Sequence, residues 1–339
     1  MAVWDNARFL AITLVVIGHA LTKMVGQSDT AFVLYLAIYL FHIPLFVLLA
    51  GFFASAEAPT GKRIQGIVTD LVLPYLIFEI IWSVIQSIQG GEFLFNPLRP
   101  SWTLWFLLSL IAWRILLPYL AQLPAPLVIA IVVSVWSGYW AVDQTLSLSR
   151  TLGFAPFFVL GWMLRRGDIA SWWMALPSRV VTGIRLVAAG LFVGLLVTLT
   201  LAEEWLRAVN FRLLLTFDQG YAEAGFDQWW IGGVRLALMV VAFVLSLAFL
   251  ALAPRQQTWF TAYGQTTMTV YLLHTFVLAP LRGSGILAGD QPPWFVGLAV
   301  VGAIALTILL AQPSLTRLMT PLIRPTWALS RREKGPTIP

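Results

Sequence analysis

Runs of about 20 apolar residues recur along almost the whole chain, separated by short stretches in which Gly, Pro and charge cluster. That pattern constrains the fold more than any single motif. Hydrocarbon offers a peptide group no water, so segments of this kind cross a bilayer as helices whose backbone hydrogen bonds close internally. Of the 339 residues, 59% are hydrophobic and 11% charged, whereas a soluble domain carries roughly 25% charged residues. A water-soluble globule is thereby excluded. The spans fall at about 7–26, 31–54, 67–88, 102–120, 126–142, 151–164, 180–201, 229–252, 264–282 and 294–317, the sixth being short. The expected fold is all-α, a polytopic membrane helix bundle of about ten transmembrane helices. Residues 1–320 form the transmembrane domain, and 321–339 a basic, disordered cytoplasmic tail. The first run carries Asp5, Arg8 and His19 and lacks an A-x-A-like cleavage site, so it reads as a retained helix.

The charge of +6 does not mark a nucleic-acid partner here, because the 21 Lys and Arg stand singly or in pairs between apolar runs. They report topology instead. An even number of spans puts both termini on one side, and two thirds of the Lys and Arg fall on that side. Both termini are therefore expected in the cytoplasm, in a multi-pass protein of the inner membrane. The longest connection on the other side, about 202–228, is acidic, with Glu203, Glu204, Asp218, Glu223 and Asp227. With no Cys, the chain has no disulfides, thiolate metal sites or thiol nucleophiles.

An ionisable group at membrane depth is costly and marks a functional position by default. Arg8 and His19 are eleven residues apart, which returns them to one helix face about 16 Å apart along the axis. Asp5 lies one turn before Arg8, placed to orient its guanidinium. His42 and Pro44 interrupt the second span, where proline removes a backbone donor. His274 lies about 15 Å into the ninth span, and Glu79 enters the third at a similar level. A lone buried His is usually a packing residue, but three of them and a carboxylate from four helices at one depth favour a site. Read by residue type alone, Arg8, Lys62, Arg63, Arg165 and Arg166 are topology and headgroup charges. Gly51, Gly161 and Gly264 permit close helix packing. Motifs of soluble nucleotide-binding and hydrolytic enzymes are missing from the sequence.

The run WDNARFLAITLVVIGH, with ten residues between Arg8 and His19, resembles the opening of the acyltransferase-3 family of integral membrane O-acyltransferases, in particular its fucose 4-O-acetylase-like branch. FHIPLFVLLAGFF is similar to the family's second-helix His-x-Pro-Leu-Phe motif with its Gly-Phe pair. LPYLIFEIIW, SWTLWFLLSLIAWR, PFFVLGWMLRR and TVYLLHTF resemble later spans, in order, over most of the chain. One departure is at the start of the third helix, where many members have Arg-x-x-Arg and this chain has Lys62-Arg63-Ile64-Gln65-Gly66.

The resemblance implies transfer of an acetyl or similar short acyl group from acyl-CoA, acetyl-CoA above all, to a hydroxyl of a cell-envelope glycan or glycolipid. Arg8, Lys62, Arg63, Arg165 and Arg166 would then collect donor phosphates. His19 would act as general base or acyl carrier, with Asp5 and His42 beside it and Glu79, His274, Trp105 and Tyr75 supporting the acceptor or the ring. No metal is required, although three His and a Glu would suit zinc if they converged. The competing reading is a transporter or flippase for a lipid-linked sugar or glycolipid, which also needs polar groups at the midplane.

Overall fold

A computed structural model describes residues 2–140, 142, 144–289 and 291–325 of the chain. Helices occupy each of the ten expected spans, and no strand occurs among the described residues. They are α1 (Ala2–Leu21), α2 (Asp29–Tyr39) with α3 (His42–Phe52), α4 (Gly61–Ile67) with α5 (Leu73–Ile88), α6 (Trp105–Leu120), α7 (Pro126–Ser137) and α8 (Leu148–Arg166). After the short α9 (Ile169–Ala175) come α10 (Ser178–Leu201), the small helices α11 (Glu203–Ala208) and α12 (Leu213–Thr216), α13 (Ile231–Leu252), α14 (Thr267–Gly283), α15 (Pro293–Leu310) and α16 (Pro313–Ile323). Five stretches are long and apolar enough to cross a bilayer by length and composition alone: Asp29–Phe52, Gly61–Ile88, Ser178–Leu201, Ile231–Leu252 and Pro293–Leu310. The chain is a polytopic membrane helix bundle.

Three boundaries differ from the sequence reading for local reasons. α1 begins at Ala2, not residue 7, because Asp5 and Arg8 lie inside the helix as an ion pair. The sixth span is a full-length helix of 19 residues, since Ser149 and Thr151 satisfy their hydroxyls within the bundle, on the Phe217 carbonyl and on Ser109. The tenth stops at Leu310, and Pro313 opens α16 instead, a polar-faced helix at the end of the bundle that holds the N-terminus. Of the expected tail at 321–339, residues 321–323 are not disordered but complete α16, and the part from residue 326 onward lies outside the described residues.

Two irregularities shape the interior. Pro44 cannot donate to Leu40, and the second span breaks at Leu40 and Phe41. Fully buried His42 repairs part of the break, its Nδ1 donating to the Ile38 carbonyl at 2.9 Å. In the third span Pro74 follows a π-helical turn, Val68–Val72, which carries Asp70. Close packing relies on glycine at three places. A Cβ on Gly51 would lie 2.0 Å from the Phe158 carbonyl oxygen, one on Gly161 2.0 Å from that of Leu48, and one on Gly264 2.0 Å from that of Asp5. The first two lock α3 against α8. The third clamps the start of α1 to the turn before α14, where fully buried Asn6 donates to the carbonyls of Pro254 and Gln256, both at 2.9 Å. Thr258 and Thr261 donate back to its Oδ1. With α1 and α14 fixed at this end, their histidines meet deeper in the bundle.

Candidate active site

His19 on α1 and His274 on α14 are in direct contact, Nδ1 to Nε2 at 2.9 Å, with their rings stacked at 5.1 Å between centroids. The protons on these rings follow from the rest of the network. His274 Nδ1 lies 3.0 Å from the Val270 carbonyl, which can only accept, so in the neutral ring that nitrogen carries the hydrogen. Nε2 of His274 is then a lone pair, and His19 Nδ1 must donate to it. This leaves the lone pair of His19 on Nε2. A base held in one tautomer by an acceptor behind it is ready to take a proton on its outer nitrogen and to share the resulting charge. His274 is fully buried, and His19 is only partly so.

The ring of Trp102 lies 5.8 Å from that of His19. Trp102 has φ +42°, a left-handed conformation rare for a bulky residue. Its neighbours hold it there. Glu79 accepts from the backbone N–H of Ser101 at 2.9 Å and from the Ser101 hydroxyl at 2.7 Å, and the Tyr271 hydroxyl donates to the Thr103 carbonyl. Glu79 therefore does not join the histidines. It is an anchor for the turn that sets Trp102 against His19. Tyr75 acts similarly one turn away, donating to the Pro97 carbonyl at 2.7 Å. Strain held in place by surrounding bonds is characteristic of functional turns.

Below the pair, toward the N-terminal end of the bundle, opens a cavity of about 290 Å³. Three cations line it: Arg8, Arg114 and Arg324. Arg8 Nη1 is 3.3 Å from Asp5 Oδ1, and its guanidinium lies 3.9 Å from the Phe53 ring centroid. Reading the sequence missed the exposed Arg324 and the more deeply set Arg114. Its Nε is buried without a hydrogen-bond partner among the described residues. Asp70 lines the same cavity, 3.9 Å from Arg324, and leaves the Arg114 Nε unbonded, a donor that a bound anion can meet. The inner wall is Phe46, Phe106 and Tyr271, one helical turn short of His274.

The other expected residues are distributed around this frame. His42 hydrogen-bonds neither histidine; its Nε2 is buried without a partner among the described residues, and Tyr39 meets its ring edge-on at 4.5 Å. Trp105 stacks on Phe154 and receives the Arg150 guanidinium at 5.0 Å. Arg63 is directed back to the carbonyls of Ser55 and Glu57, Arg166 lies over Trp162 at 5.1 Å, and Lys62 and Arg165 are exposed; none of the four lines the cavity. No group of three or more His, Cys, Asp or Glu is gathered to hold a metal ion among the described residues.

Over 92 residues the chain is 34% identical to the nodulation protein NolL of Mesorhizobium japonicum, an alignment covering 25% of each chain. The chain thus matches about a quarter of that relative's length. No solved structure matches. The profile of the acyltransferase-3 family, described as an acyltransferase domain, matches residues 1–312, and the chain belongs to that family of membrane acyltransferases.

Proposed function

We propose that this protein moves an acetyl or similar short acyl group from acyl-CoA to a hydroxyl of a cell-envelope glycan or glycolipid, with His19 as the group that handles the proton. The observation that carries the reading is the ordered chain from the Val270 carbonyl through His274 to His19, which leaves one imidazole lone pair just beyond a cavity lined by arginines. Acyl-CoA is a polyanion with a slender thioester arm. Its phosphates fit Arg8, Arg114 and Arg324, which can bind them through charge-assisted hydrogen bonds. Arg8 lies about 16 Å below His19 by helical rise, a span the arm can bridge once the Tyr271 and Phe106 rings give way.

At His19, Nε2 accepts the proton of the acceptor hydroxyl as its oxygen attacks the thioester carbon. The new C–O bond forms and the C–S bond breaks. The proton then passes from His19 to the departing thiolate, which leaves as free CoA thiol. His274 Nε2 accepts from His19 Nδ1 throughout and stabilises the imidazolium, as an orienting partner does in a catalytic triad. If the acyl group instead rests on His19 before transfer, the same Nε2 is the nucleophile: it displaces the thiolate from the acyl carbon, the hydroxyl oxygen then attacks that carbon, the C–N bond breaks to return the Nε2 lone pair, and the hydroxyl proton ends on the CoA thiol.

The charge distribution supports an orientation with both termini in the cytoplasm, so that the arginine cavity faces the acyl-CoA pool of the inner membrane's cytoplasmic side. Residues 1–320 then act as one transmembrane unit, followed by the basic C-terminal tail.

The test is direct. Purified protein is incubated with radiolabelled acetyl-CoA and a total envelope lipid and glycan extract. Label in a lipid or glycan product, with one thiol released per label, is expected. Donor left intact in the presence of the extract would overturn the reading and favour a transport role.

A further inference from the structure

On the far side of His19 from the arginine cavity stand two more cations, Arg150 at the start of α8 and Arg282 in the last turn of α14, both within electrostatic reach of the His19 ring. Their situations differ. Arg150 is neutralised by Asp218, 3.1 Å away. Arg282 has no ion pair and no hydrogen bond among the described residues; its guanidinium lies 4.5 Å from the Trp102 ring centroid, on the same indole that lies 5.8 Å from His19. Side chains on a helix lean toward its N-terminus. Although Arg282 is about two turns beyond His274 along the axis, its charge is therefore drawn back toward the reacting centre. The residue is half-buried, and a half-buried cation without a counter-ion is poorly solvated.

From this geometry we infer that the acceptor carries an oxyanion, a phosphate or a carboxylate, within about one sugar ring of the hydroxyl that is acylated, and that Arg282 binds it. Trp102 links the two: its ring lies 5.8 Å from the His19 ring and 4.5 Å from the Arg282 guanidinium, which puts imidazole and guanidinium no more than about 10 Å apart, so a hydroxyl at one and an anion at the other fit a single sugar or two adjacent groups. The planar guanidinium presents five donors suited to two-pronged binding of either oxyanion. Arg282 is thus a specificity-determining residue, whereas Arg150, already paired, holds Asp218 and the loop around it in place. The inference rests on the transferase reading and names the chemical class of its acceptor.

The experiment uses the natural extract. Wild type is allowed to label the envelope extract from radiolabelled acetyl-CoA, and the product is run on an anion exchanger before and after two treatments. Mild acid or phosphatase removes a sugar phosphate; methyl esterification masks a carboxylate. The expected product is retained, and one of the two treatments abolishes retention, which identifies the anion's source. Arg282→Gln should raise the extract concentration needed for half-maximal labelling at least tenfold, with the donor KM unchanged, and Arg282→Lys should restore part of the loss. A product that runs as neutral overturns the inference and leaves the transferase standing. So does an Arg282→Gln variant with an unaltered acceptor requirement, the result expected if Arg282 only meets phospholipid headgroups. A fall in labelling that no extract concentration rescues would reduce Arg282 to a structural role. Absence of label from wild type overturns the transferase reading and this inference with it.

Discussion

His19 owes its proposed role to an atom it does not touch. The Val270 carbonyl fixes the hydrogen on His274 Nδ1, and His274 in turn fixes the hydrogen on His19 Nδ1. His274→Phe removes the acceptor while keeping an aromatic ring of similar size. It should lower the acyl transfer rate by about 10²- to 10⁴-fold with little change in either KM, measured on protein shown to be monodisperse. An equal rate would remove His274 from the mechanism. Arg114 gives the complementary prediction on the donor side. Arg114→Gln should raise the acyl-CoA KM by roughly tenfold or more, the scale of one lost charge-assisted hydrogen bond, while kcat holds, and a steady-state titration with donor decides it. The sequence showed Arg8, His19 and His274 as suspects because they are polar at membrane depth. It could not show Arg114, whose residue type at a span end is indistinguishable from an ordinary topology charge. Nor could it show that Glu79 serves Ser101 instead of the histidines, because that depends on a loop folding back over α5.

At the scale of elements, most of the helical framework was legible, because a hydrophobic run of membrane length has few alternatives. The break near Pro44 was legible too, since proline removes a specific hydrogen bond. Hidden from the sequence was the turn at residues 101–104, whose left-handed Trp102 is imposed by partners from α5 and α14. Glu79→Gln replaces one carboxylate oxygen with a donor and leaves the Ser101 pair partly unmet. The expected cost is about 1–3 kcal/mol of stability, together with lower activity through a displaced Trp102. Thermal unfolding and turnover measured on the same preparation test it, and activity preserved alongside lowered stability would detach Trp102 from the chemistry. Gly161→Ala should destabilise the protein by about 1–3 kcal/mol through overpacking, because its Cβ meets the Leu48 backbone, which has no side-chain freedom to yield. A thermal midpoint equal to wild type would contradict the close contact of α3 and α8.

For the whole molecule, the proposed mechanism has two approaches to one imidazole pair: a donor cavity from the end holding the N-terminus, and an acceptor side bounded by Trp102, Arg150 and Arg282. The orientation of the bundle then decides which compartment supplies which substrate. The natural absence of cysteine makes this straightforward to measure. Single cysteines placed at Glu57, in the connection after α3, and at Glu223, in the acidic connection, should label from opposite faces of sealed cells, Glu57→Cys only after the membrane is opened and Glu223→Cys from outside. The reverse pattern would place the arginine cavity away from cytoplasmic acyl-CoA.

The most direct measurement compares wild type with His19→Ala, both monodisperse in detergent, in the labelled acetyl-CoA assay with envelope extract, following label transfer and thiol release together. Wild type should transfer label and release thiol in equal amounts. His19→Ala should do neither, while still binding donor through Arg8 and Arg114. Normal turnover by His19→Ala would contradict the assignment of His19.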